Sequence, residues 1–333
     1  MKRFAYYILM TVVAVCAISC SNSKTRRALL PNISGKPGEV IVVIDRSQWE
    51  GALGNTLRDT LECDCPFLPQ KEPLYNLVNV APAGFTNMFQ IHRNIIIAHI
   101  SPEVTSPGVV FKTDMWAAPQ CVIRINASTS EQAIELFNEN SEKIKAVLDQ
   151  AERSRVITNA MKYEEVGIAP VVTQMAGGSP HFPSGYRIKK KTDNFIWITY
   201  DTQFTQQSIL VYKYPVIEGE NMMSPKSLLE AQGTMLKDNV PGMFENTYMI
   251  ISPIIEPSVT YKKYGKHEFA EIRGLWEVHN DYMGGPFVTH AFYTPDGKEM
   301  IMMQAFVYAP KYDKRNYLRQ VESVLYSFEW KKE

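Results

Sequence analysis

Residues 286–294, PFVTHAFYT, are followed by Pro295-Asp296-Gly297 and then by residues 298–308, KEMIMMQAFVY. Two apolar runs joined by a Pro-Asp-Gly turn predict an antiparallel hairpin. Working back from it, residues 247–256 and 266–279 read as strands, and 195–200 with 208–214 as a second hairpin of aromatic and β-branched residues. Ser224-Pro225 opens a helix between them, the serine as cap and the proline at its first position, with Leu228, Leu229, Met235 and Leu236 turned inward. After Pro310, Leu318, Val321, Leu325 and Phe328 form the stripe of a terminal amphipathic helix. Residues 163–185 collect Gly177, Gly178, Pro180, Pro183 and Gly185, and read as part strand and part surface loop. The fold class expected for 163–333 is therefore α+β, an antiparallel sheet flanked by helices.

The preceding stretch alternates differently. Residues 40–44, 74–80, 94–100 and 121–125 are apolar runs with the character of buried strands. Residues 47–61 carry Trp49, Leu53, Leu57 and Leu61 at four-residue spacing behind Ser47, the pattern of a capped helix. Residues 66–73 are a proline-rich loop. Ser128-Thr129-Ser130-Glu131 has the capping-box pattern and begins a helix expected to reach about Met161. Strands alternating with helices make 39–162 an α/β unit with a mixed sheet.

Ahead of both lies a leader. Lys2 and Arg3 precede an apolar run to Ile18, and Ala17-Ile18-Ser19 ends at Cys20. A basic n-region, an apolar core and small residues at the cut make 1–19 a signal peptide. A cysteine directly after the cut points to lipid attachment at Cys20, palmitate included; an ordinary cleaved signal with an incidental cysteine is the alternative. The apolar run is shorter than the roughly 20 residues that a spanning helix needs. Residues 20–38 carry Lys24, Arg26, Arg27 and Lys36 with Pro31, Gly35, Pro37 and Gly38, the composition of a flexible tether. Such a tether either touches anionic headgroups or serves as a soluble spacer.

Lys and Arg number 35, as do Asp and Glu. This balance leaves no basic excess for nucleic acid. Hydrophobic residues make up 45% of the chain, enough for a full core. Past the leader, Cys63, Cys65 and Cys121 are an odd number. Cys63 or Cys65 could bridge to Cys121 if the fold joins them; Cys121, which opens an apolar run, reads as a buried thiol.

The candidate ligand pocket is Trp276, His279, Asp281, Tyr282, Gly284, Gly285 and Phe287. Paired glycines admit a ligand among aromatic walls, or else let two strands approach closely. Ser179 and His181 in Gly177-Gly178-Ser179-Pro180-His181 lack the pattern of a nucleophile elbow. His279 and His290 with Asp281 lack the spacing of a metal site. Met222, Met223, Met300, Met302 and Met303 either fill the core or line an adaptable groove. No catalytic residue, metal ligand or cofactor is assigned.

Gly274-Leu275-Trp276-Glu277-Val278, Asp281-Tyr282-Met283-Gly284-Gly285-Pro286-Phe287 and Phe306-Val307-Tyr308-Ala309-Pro310 resemble the signature of an uncharacterised lipoprotein family of Bacteroidota. That resemblance covers nearly the whole mature chain and implies no activity. The order of elements is also similar to that of extrinsic photosystem proteins, a topological likeness that brings no function with it. Surface export in that bacterial group resembles a rule requiring acids soon after the lipidated cysteine, and Ser21-Asn22-Ser23-Lys24 has none. The expectation is an outer-membrane lipoprotein facing the periplasm. It binds an envelope protein or a small apolar ligand, with a hydrolase assembled from distant residues as the alternative.

Overall fold

The structure is a computed structural model that describes residues 29–331. The expected signal peptide, Cys20 and the first part of the tether lie outside the described residues. The rest forms two compact units, one of residues up to Cys63 with Tyr75–Ala151, the other of Asp64–Leu74 with Glu152–Glu333. The dividing point thus falls inside a helix.

The first unit is a five-stranded sheet in the order β2-β1-β3-β5-β4. Its strands are β1 (Glu39–Val43), β2 (Asn76–Val80), β3 (Asn94–Ile100), β4 (Gly108–Thr113) and β5 (Cys121–Ala127). All pairs are parallel except β4 with β5, so the sheet is mixed as expected. Parallel strands covered on both faces read as unbroken apolar runs, and Val40 to Ile44 are at most 3% exposed. Strand β4 was not expected. Its position at the edge, with Val110, Lys112 and Thr113 exposed, leaves little apolar signal.

The helix expected over 47–61 is two helices, α1 (Arg46–Glu50) and α2 (Ala52–Leu61), separated by the extended Gly51. Ser47 lies inside α1 and Asp45 precedes it, so Ser47 is not the cap. The break brings the Trp49 carbonyl against Gly54, where a β-carbon would lie 1.9 Å from that oxygen. Leu53, Leu57 and Leu61 are buried as their spacing predicts. Within the stretch expected as tether, Asn32 and Ser34 form parallel bridges to Ala118 and His92. After the short helix α3 (Asn87–Gln90) comes the long helix α4 (Ser130–Lys162). Its start uses Gln132 as well as Glu131: Gln132 N–H donates to Thr129 Oγ1, and Gln132 Oε1 accepts from Ser128 N–H.

The second unit holds an antiparallel sheet in the order β10-β12-β13-β14-β9-β8-β7, with β11 also paired to β12. The strands are β7 (Arg187–Lys191), β8 (Phe195–Asp201), β9 (Gln206–Pro215), β10 (Met249–Ile251), β11 (Ser258–Tyr264), β12 (His267–Val278), β13 (Gly284–Tyr293) and β14 (Glu299–Tyr308). Two residues of β6 (Gly178–Ser179) pair with β15 (Glu329–Trp330). Helices α5 (Ala169–Ala176) and α7 (Arg315–Leu325) cover one face, over Phe269, Val288, Ile301 and Met303. Helix α6 (Pro225–Asn239) covers the other, over Ala270, Ile272, Met302 and Phe306.

The hairpin read from Pro295-Asp296-Gly297 is β13 and β14, and Ser224 caps α6 by accepting from Ser227 N–H at 3.2 Å. The strand expected over 247–256 shortens to β10, because Pro253 has no N–H to continue the ladder. Helix α5 replaces part of the expected loop and ends at Gly177, whose φ of 77° closes it. Phe328 lies beyond α7 rather than on it. The methionines at 300, 302 and 303 are fully buried in the core.

The proline-rich loop supplies the cap of α7. Glu72 accepts from Lys314 N–H at 2.6 Å and Arg315 N–H at 2.9 Å, satisfying two donors at the positive end of the helix. Glu72→Ala is expected to destabilise the second unit by about 2 kcal/mol, the range for a lost cap that is also a buried charged acceptor. Denaturant midpoints check this, and Glu72→Gln should recover part of the loss.

Candidate functional site

The seven residues of the expected pocket divide into two groups. Trp276, Gly284, Gly285 and Phe287 belong to β12 and β13, where the Trp276 indole N–H donates to Val307 O at 3.2 Å and Phe287 is fully buried. A β-carbon on Gly285 would lie 2.1 Å from Val307 O, and one on Gly284 2.9 Å from Trp276 O. The glycines therefore allow close approach of strands, and protein fills the space beside Gly285. His279, Asp281 and Tyr282 lie in the turn beyond β12, which Asn280 reverses with a φ of 63°. Asp281 Oδ1 accepts from Tyr282 N–H, the His279 ring lies tilted against Tyr248 at 5.1 Å, and the Tyr282 ring is fully exposed.

The residues considered for hydrolysis do not meet. Ser179 Oγ donates to Pro180 O at 2.8 Å, and His181 Nδ1 lies 2.9 Å from Glu164 Oε1. His290 is buried under α7, away from the turn that holds His279 and Asp281. Among the described residues no group of three His, Cys, Asp or Glu side chains is placed to hold a metal. Cys63 and Cys65 are free thiols, exposed and half-buried, and Cys121 is buried and bridged to neither. Burial pushes the Cys65 thiol up to about 11, which keeps it protonated at neutral pH.

The most polar buried constellation is one that sequence reading passed over. Glu271 on β12 is 1% exposed and faces the α7 side of the sheet opposite His290 on β13. Its Oε1 accepts from Lys262 Nζ at 2.7 Å and Arg273 Nε at 2.6 Å, while Oε2 accepts from the Tyr326 hydroxyl at 2.8 Å. His290 Nε2 stands 3.5 Å from Oε2. Arg273 also binds Glu322 on α7, and the Arg153 guanidinium from α4 lies 3.6 Å over the Tyr326 ring. β12 thus brings two charges, and β11, β13, α4, α7 and the residue after α7 one charge or dipole each, to a common point.

Burial opposes the Glu271 charge, but the contacts with His290 and Arg273 outweigh it and hold the carboxyl far below the usual range. Burial lowers the His290 pKa, with Glu271 offsetting only part. For Arg273 burial is outweighed by Glu322 and Glu271, which raise it. Burial and the same two carboxylates raise Tyr326. At neutral pH the group is an anion, a neutral imidazole, a guanidinium and a phenol, each locked in one state. A cavity of about 20 Å³ beside it, bounded by Tyr264, His267, Phe269, His290, Phe292 and Tyr326, has room for about one water. The arrangement fastens strands to a helix, and a substrate has no room there.

These directions set a pH dependence. The unfolded His290 titrates near 6.5 and the folded one lower, so its contribution is complete above 6.5 and falls as pH drops below that value. Glu271 is depressed below 4.5, so its contribution is present above 4.5 and is lost as pH falls further toward the folded value. Urea midpoints should decline from pH 7.5 to 5, and His290→Gln should flatten that decline; an unchanged slope would exclude His290 as its source. Tyr326→Phe should cost about 1–3 kcal/mol at pH 7, for removing a donor from a buried carboxylate.

Comparison with known proteins adds the following. Residues 33–161 match a family described as a domain of unknown function (DUF8532), and residues 167–327 one described as a domain of unknown function (DUF4837). No curated protein matches the chain. A crystal structure from Bacteroides thetaiotaomicron is similar at 16% identity over 47% of this chain and 46% of the other, with a TM-score of 0.25. The chain therefore spans less than half of that protein's length. The human StarD13 (DLC2) lipid transfer and protein localization domain is similar at 14% identity over 44% of this chain and 89% of the other, with a TM-score of 0.22. The two matches follow one another along the chain, each over less than half of it.

Proposed function

We propose that the protein is a binding module of the bacterial cell envelope, held to the periplasmic face of the outer membrane by lipid on Cys20. Its molecular task is to engage another envelope protein. The observation that carries the binding reading is a pair of apolar tips at one end of the second unit's sheet. Met243 and Phe244, 78% and 66% exposed, crown the connection from α6 to β10, and Tyr282, fully exposed, crowns the turn from β12 to β13.

The two turns are neighbours: His279 N–H donates to Tyr248 O at 2.8 Å, and a β-carbon on Gly242 would lie 2.8 Å from a Val278 methyl. Their backbones are fixed by Gly242 N–H to Thr247 O and Val278 N–H to Met283 O. Aromatic side chains projecting from ordered turns lose little freedom on docking, and the flexible Met243 adapts to a partner's surface. Glu245 and Asp281 beside them disfavour an anionic lipid surface and favour a protein partner with an apolar pocket. The basic leader ending at Ala17-Ile18-Ser19-Cys20 supports the anchor.

A photo-crosslinking residue at Phe244, and separately at Tyr282, is expected to trap the same envelope protein in living cells. The Met243→Ser, Phe244→Ser, Tyr282→Ser variant should lose at least tenfold in yield of that partner with an unchanged melting temperature. Failure of both positions to crosslink across several growth states would sink the binding reading. Independently, Cys20→Ser should abolish detergent-phase partitioning, and normal partitioning of that variant would remove the anchor from the proposal.

A further inference from the structure

The face of the sheet under α6 holds a second set of buried polar groups. Register aligns Ile272, Thr289, Gln304, Leu210 and Trp197 in one row across β12, β13, β14, β9 and β8. Thr289 and Gln304 are therefore direct cross-strand neighbours, with side chains within reach of one another. Above them, Gln232 takes the central place of the α6 stripe between Leu228 and Leu236, where an apolar residue would serve packing best. Gln232 Nε2 donates to Gln304 Oε1 at 3.0 Å.

All three residues are fully buried. Yet Gln232 Oε1, Gln304 Nε2 and Thr289 Oγ1 have no hydrogen-bond partner in the protein. The first can only accept, the second can only donate, and the hydroxyl can do either. Burying such groups unpaired costs about 1–3 kcal/mol each, so three together in one place call for a shared partner. The two amides already bond to each other, which keeps their remaining oxygen and nitrogen close to that bond.

The chemistry of that partner follows from the set. It must donate to Gln232 Oε1 and accept from Gln304 Nε2, which one hydroxyl does at once. The surrounding residues are uncharged, Ile272, Leu210, Met302, Leu228 and Leu236 among them, so nothing compensates an ion. We propose that Gln232, Thr289 and Gln304 form an internal binding site for one neutral hydroxyl group, that of a water or of a small alcohol-bearing ligand. Its occupant ties α6 to the middle of the sheet.

Nuclear Overhauser effects from the Gln304 side-chain amide protons test this on the full chain in detergent. The expected result is a cross-peak to a long-lived water or to a ligand hydroxyl, and native mass spectrometry of protein purified from cells separates the two by the presence or absence of a retained adduct. Gln232→Leu with Gln304→Leu should abolish the corresponding cross-peak at Thr289 while the chain stays folded, because both unmatched groups leave together. If that variant does not fold, the wild-type cross-peak alone decides. Absence of any cross-peak, a crystal structure in which the three groups pair only with protein, or an ion at the spot would overturn the site.

Discussion

A carboxylate in the middle of a covered sheet is tolerable only if its charge is answered from several directions. Glu271 is such a group, and its partners come from β11 through Lys262, from β12 itself through Arg273, from β13 through His290, and from the residue after α7 through Tyr326. Arg273 passes the requirement on to Glu322 within α7. The need to neutralise one buried charge therefore specifies which strands lie side by side and which helix covers them. A buried ionic network of this kind adds little net stability over an apolar replacement, but removal of one charged member leaves an uncompensated charge. Its contribution lies in excluding other arrangements.

Backbone contacts complete what the charges begin. Glu72, far from α7 in sequence, reaches the first amides of that helix, and Arg319 on α7 donates back to Leu74 O at 2.8 Å. The helix that carries Glu322 and leads to Tyr326 is thus positioned at its start by a loop and along its length by the sheet. Gly285 lets β13 draw close to β14 and the Trp276 indole. Any side chain there would push β13 away from the Val307 backbone of β14.

The fold class was legible because its signals are local. Pro295-Asp296-Gly297 between apolar runs marks β13 and β14, and Ser224-Pro225 marks α6. Strands β4, β7 and β11 escaped because they are edge or near-edge strands with much of their surface exposed, and in β7 the exposed residues are Arg187, Lys189 and Lys191, charges that protect an edge. The candidate pocket was harder. Paired glycines signal close approach of backbone to something, and only the fold identifies that neighbour as Val307 rather than a ligand. Glu271 and Arg273 alternate with Ala270 and Ile272 as solvent-facing residues do, and their side of β12 is buried only because α7 lies over it. Gln232 carried a readable signal, a polar residue between Leu228 and Leu236 on an apolar stripe.

The two faces of the sheet thus answer one difficulty in different ways. Under α7 the carboxylates, guanidinium and ammonium find one another, and His290 Nε2, 3.5 Å from Glu271, is the member left without a hydrogen bond. Under α6 the buried polar groups are neutral amides and a hydroxyl, weaker groups that pair only in part. A closed ionic network resists change, because moving any element strands a charge. A neutral set with spare donors and acceptors can exchange its partner at lower cost. Adaptability within the second unit is therefore confined to the α6 face, where Met222, Met235, Met300 and Met302 add side chains that repack readily. That face also leads through the end of α6 into the connection that carries Met243 and Phe244. Any change in how α6 sits on the sheet reaches those exposed tips along a continuous stretch of chain, whereas the α7 face offers no comparable freedom.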